Sequence, residues 1–159
     1  IAALAMKTFF CWYVCAAYNR NIFDMLGGFE KRAIFNEDMI YAGHAVEAGY
    51  RIAYQAQAQV YHSHNYSCMQ QFRRNFDLGV SQAEHPEVFA GVSSKSEGVQ
   101  LVKKTARHLA EAGMRKQIPY LIVQSGFKYI VYQMGIHYKS LGQGMIMKCT
   151  GNRNYWKQQ

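Results

Sequence analysis

Apolar residues near the start of the chain recur at helical spacing. Ile22, Phe23 and Leu26 follow i, i+1, i+4, which predicts a helix from about Asn19 to Leu26. Gly27 and Gly28 lie just past its last turn, where a glycine takes a left-handed backbone at little cost. A second helix is predicted from Glu37, with Met39, Ala42 and Val46 on one stripe and Gly49 as its stop. From Tyr54 the period falls to two. Tyr54, Ala56, Ala58, Val60, His62 and His64 share one side, while Gln55, Gln57, Gln59 and Tyr61 share the other. That alternation predicts a half-buried strand with its histidines at the far end, and a strand directly after a helix predicts an α/β layer.

Beyond Asn65 the helical period returns. One helix is expected over Ser67 to Val80, then a loop around Pro86. Ser94 and Glu97 have the spacing of a capping box that opens a helix running to Gly113. A last, long helical segment starts near Pro119, a residue suited to a first turn. Its polar residues Gln117, Gln124, Lys128 and Lys139 fall within roughly 60° of one another at about 3.6 residues per turn. The remainder, from Tyr120 and Leu121 through Phe127 to Tyr132 and Met134, is apolar or aromatic. Lys128 in mid-segment argues against a membrane span, leaving packing against protein or lying on a membrane surface.

A chain of 159 residues, half of them hydrophobic, can bury a real core, so a disordered tail is excluded. The net charge of +8 favours an anionic partner: a nucleotide phosphate or the surface of an acidic membrane. Basic residues occur as dispersed pairs such as Arg73-Arg74, Lys103-Lys104 and Arg115-Lys116, so nucleic acid is the least supported partner. Cys11, Cys15, Cys68 and Cys149 include no CxxC, which suits thiols in a reducing, cytoplasmic compartment. The opening IAALAM lacks the basic region and cleavage context of a secretory signal, and with Ile in first place the chain is expected to begin downstream of its gene's start.

Four short motifs follow one another: Leu26-Gly27-Gly28-Phe29, then Glu37-Asp38, then Gly49-Tyr50-Arg51, then Val60-Tyr61-His62 with a second histidine, His64. Singly, each is common. An acidic pair opening a helix is usually a favourable charge at the exposed amides, and a histidine after a strand is usually a polar loop edge. Together, over residues 9–80, they resemble the distal part of the catalytic domain of inverting family 2 glycosyltransferases with the GT-A fold, of the rhamnosyltransferase type that builds cell-surface polysaccharide. The resemblance implies an α/β region over residues 1–80 followed by a helical C-terminal extension over 81–159.

It also implies a chemistry: an acceptor hydroxyl attacks the anomeric carbon of a nucleotide-diphospho-sugar donor, and the nucleoside diphosphate leaves. The acceptor would be a glycan or a lipid-linked sugar. Asp38 matches the general base that takes the hydroxyl proton, with Glu37 as its supporting carboxylate. Such enzymes use Mn2+ or Mg2+ to offset charge on the leaving diphosphate. By the match His62 is the expected metal ligand, and His64 its substitute or a phosphate contact. Arg73 and Arg74 are expected to face phosphates or to form a solvated helix face.

The chain departs from that pattern in two places. Ala56 stands where members often carry proline. More consequentially, Asp24, Asp38 and Asp77 are the only aspartates, so the metal-binding Asp-x-Asp of such enzymes has no match. The donor side is therefore expected to be incomplete, the chain alone inactive, and its cut surfaces open to association as a homo-oligomer. A non-catalytic membrane-docking or protein-interaction module, at the inner face of the cell membrane, is the main alternative. A small metal domain using His62, His64 and Cys68 with Cys11 or Cys15 is a further one, although the spacing is not that of a zinc finger.

Overall fold

The computed structural model describes residues 15–90 and 94–157. Cys11 and the side chains of Ser94 and Glu97, expected to form a capping box, lie outside the described residues. In chain order the helices are α1 (Arg20–Met25), α2 (Glu37–Glu47), α3 (Cys68–Glu84), α4 (Pro86–Phe89), α5 (Ser94–Glu111), α6 (Ile118–Ile136), α7 (Gln143–Cys149) and α8 (Arg153–Lys157). Single 3-10 turns at Arg115–Gln117 and Tyr138–Ser140 flank α6.

Local signals account for most boundaries. Asn19 caps α1 by accepting from the amides of Asn21 and Ile22. Ser67 and Gln70 close a reciprocal capping box at the start of α3. Gly49 and Gly113 follow α2 and α5 with φ of 89° and 74°, a backbone that side-chain-bearing residues rarely adopt.

The expected α/β layer is not present. Among the described residues no strand forms, and the regular structure is all helix. Residues 51–65 run as exposed irregular backbone with one turn, Tyr54 being 92% exposed. Alternation makes a segment compatible with a strand, but a strand exists only where a neighbour takes up its amides and carbonyls. Among the described residues, no segment does so.

The main core lies between α3 and α6. Phe72 meets Phe127 at a ring separation of 5.9 Å, Gly79 lies against Gly135, and Tyr138 just beyond α6 donates to Glu84 at the end of α3. That order makes the two helices parallel. Phe76, Val80 and Val131 are fully buried there, and Ile146, Cys149, Tyr155 and Trp156 of the last two helices close the cluster. A smaller cluster of Met39, Ile40, Val88 and Phe89 seats α2 on α4. Tyr18, Phe23, Phe29 and Tyr41 cluster in edge-to-face and tilted contacts and hold α1 on α2, the tilted Phe23 and Tyr41 rings being 5.1 Å apart.

Candidate functional site

The acidic pair opens α2 as expected, and α3 anchors it there. Asn36, immediately before the helix, is left-handed at φ 61°. It is the one non-glycine residue with positive φ among the described residues, a conformation that costs on the order of 1 kcal/mol and needs external support. Ser81 of α3, fully buried, supplies it. Its hydroxyl donates to the Phe35 carbonyl at 2.6 Å and accepts from the Asn36 amide group at 3.5 Å. The following residues are thereby fixed in direction. Asp38 is 7% exposed and its Oδ1 accepts from the Met39 amide at 2.8 Å, while Glu37 beside it is half-buried.

The histidines approach the same corner along a chain of ring contacts. His62 and His64 lie 4.2 Å apart, nearly perpendicular, and His64 stacks on Tyr66 at 4.7 Å. The guanidinium of Arg74, exposed on α3, sits 4.7 Å from the Tyr66 ring and 4.8 Å from the Phe35 ring. Arg74 thus links the histidine segment to the residue that leads into Asn36, Glu37 and Asp38. Cation–π contacts hold a guanidinium by its face and leave its in-plane N–H donors for an anion.

Arg73 goes elsewhere. It lines an open cleft of about 470 Å³ with Thr150, Gly151, Asn152, Arg153 and Asn154. Its Nε is buried without a hydrogen-bond partner. Beneath the cleft, buried Asp77 accepts from the Thr150 hydroxyl at 2.7 Å and the Gly151 amide at 2.8 Å. Burial pushes its carboxyl above the ordinary range, against the opposing pull of those hydrogen bonds and of Arg73. No motif in the sequence singled out a role for Asp77, Thr150 or Arg153. An aspartate between Phe76 and Val80 on a buried stripe is the one signal that could have raised it.

The residues present do not by themselves fit a divalent cation. His62 and His64 offer two imidazoles, but among the described residues no three His, Cys, Asp or Glu side chains gather to hold a metal. Mg2+ and Mn2+ prefer oxygen ligands in a complete octahedral shell, and no carboxylate completes one here. Cys68 is an exposed free thiol, and among the described residues it joins no such group.

Two curated proteins align with nearly the whole chain. One is an O-antigen chain rhamnosyltransferase of Salmonella anatum, 37% identical over 98% of this chain and 50% of its own length. The other, an O-antigen chain rhamnosyltransferase of Salmonella typhimurium, is 35% identical over the same shares. The chain is similar to O-antigen rhamnosyltransferases. It spans about half the length of the curated relatives it matches. No family model matches the chain, and no solved structure does. Among the described residues no helix is long and apolar enough to cross a membrane.

Proposed function

We propose that this chain is part of a glycosyltransferase that adds rhamnose to a growing O-antigen-type polysaccharide. The observation that carries the reading is identity of 37% sustained over 98% of the chain to a protein of that name. In the proposed reaction the acceptor hydroxyl oxygen bonds to the anomeric carbon of a nucleoside-diphospho-rhamnose as the bond to the diphosphate breaks. Attack from the face opposite the leaving group inverts the anomeric configuration. The hydroxyl proton passes to the Asp38 carboxylate, and the electron pair of the broken bond leaves with the nucleoside diphosphate.

Asp38 suits a base because the Ser81–Phe35–Asn36 hydrogen bonds fix its position and its burial shields it from bulk water. Glu37, more accessible, is assigned to binding the acceptor. Arg74, with His62 and His64 beside it, is assigned to the departing diphosphate, whose charge a planar guanidinium pairs with in bidentate fashion. Arg73 and Arg153 line a separate cleft, which stays outside this reaction.

The test is a chimera in which this chain replaces the matching half of the Salmonella anatum relative. Incubated with nucleoside-diphospho-rhamnose and lipid-linked O-antigen acceptor, it is expected to release nucleoside diphosphate and lengthen the glycan. A chimera that is folded by circular dichroism yet transfers no sugar contradicts the reading.

A further inference from the structure

We propose that the hairpin of α5 and α6 is a membrane-surface element that lies on an anionic lipid bilayer through the outer face of α6. The proposal does not depend on the transferase reading. It begins with a side-chain distribution opposite to that of a surface helix. Val131 and Gly135 are the residues of α6 buried against α3. Away from that contact Val123 and Ile130 form one exposed stripe and Ile122 and Tyr129 a second, while Tyr120 and Phe127, the latter meeting Phe72 of α3, lie at the edge nearer α3. All six are between 46% and 70% exposed. Lys128, the helix's one charged residue, is half-buried and off that face. A surface of this kind on a water-soluble domain marks an interaction site.

The charge around it selects the occupant. Residues 94–159 carry eleven Lys and Arg against two Asp and Glu, a net +9, whereas residues 1–93 carry seven against eight, a net −1. Past Glu111 no acidic residue occurs at all. Lys103, Lys104 and Arg107 on α5, and Arg115 and Lys116 in the turn that leads into α6, are exposed. A purely apolar protein surface placed over that face would cover it and leave these five cations unanswered. An anionic bilayer answers both: acyl chains take up Ile122, Val123 and Ile130, headgroups take up the lysines and arginines, and tyrosines favour the boundary between them. Since α6 cannot cross a membrane, the helix lies along the surface.

The experiment is co-sedimentation of the full chain with vesicles of equal parts phosphatidylglycerol and phosphatidylcholine, against pure phosphatidylcholine. The chain is expected to pellet with the mixed vesicles only. Salt should release it, because the screening length falls from about 10 Å at 0.1 M to about 3 Å at 1 M. I122D/I130D changes two exposed positions, so folding is spared, and it should lower the bound fraction at limiting lipid by about tenfold or more. K103E/K104E should weaken binding to mixed vesicles without altering the circular dichroism spectrum. Absence of binding, equal binding to both vesicle types, or undiminished binding of I122D/I130D overturns the proposal. So does a homodimer in sedimentation equilibrium that I122D/I130D dissociates, since a second copy would then be the occupant.

Discussion

Glu84, at the end of α3, accepts from the Tyr138 phenol at 3.0 Å on one oxygen and from the Tyr155 phenol on the other. Burial first, and then the carboxylate's hydrogen bond and charge, push both phenols up, Tyr138 to about 12 from an ordinary value of 10. A phenol with a raised folded-state pKa contributes stability that is complete below 10 and is lost as pH rises through about 12. Glu84→Gln keeps an acceptor oxygen but removes the charge, so the loss of stability between those two pH values should shrink. Urea unfolding midpoints of both proteins below pH 10 and near pH 12 check this. An alkaline loss as large in the variant as in the parent contradicts the assignment. What was legible at this scale was local: Asn19, Ser67 and the acidic pair act on their own helix starts. Glu84 and Asp77 were illegible because the partners that give them meaning, Tyr155 and Thr150, lie 71 and 73 residues further along the chain.

Helices α3 and α6 pack closely because two glycines meet. A methyl group added at Gly135 would lie 2.1 Å from the Phe76 carbonyl oxygen, and one at Gly79 2.2 Å from that of Tyr132. Neither backbone can yield without parting the helices. Gly135→Ala should therefore cost about 1–3 kcal/mol or more, the usual penalty of overpacking. Gly126→Ala, on the same helix with nothing within 4 Å, should instead stabilise by about 0.5–1 kcal/mol through backbone entropy and helix propensity. Denaturant unfolding of the pair separates the two: equal effects would contradict the crossing. Neither glycine announced this role, since a glycine within a helical pattern gives no sign of what it faces. The period-two run from Tyr54 was legible as a pattern but not as a strand, because a ladder is made by two segments and one sequence window reports only one. Helix positions fared better, since α1, α2, α3 and α6 each satisfy their backbone internally and carry their boundaries in neighbouring residues.

At the scale of the molecule, α3 organises both candidate regions. Its Ser81 and Arg74 serve the acidic corner and the histidine segment, while its Asp77 and Arg73 face the C-terminal cleft. The arginine pair, expected to face phosphates or to form a solvated helix face, is thus divided between two places. Adjacent residues on a helix point about 100° apart, so neighbours in sequence seldom share a ligand. The ordered motifs were legible because each is local and short; the corner they form was not, because Ser81 and Arg74 come from a helix that follows both.

The central claim is that Asp38 takes the proton of an attacking sugar hydroxyl, and Asp38→Asn in the rhamnosyl-transferring chimera tests it most directly. The amide keeps the shape and can still accept from the Met39 amide, but it cannot take up a proton under these conditions. With thermal unfolding unchanged, rhamnosyl turnover should fall by about 10²–10⁴-fold, the contribution usual for a positioned general base. A folded Asp38→Asn chimera that transfers rhamnose within a few-fold of the parent rate would contradict the account.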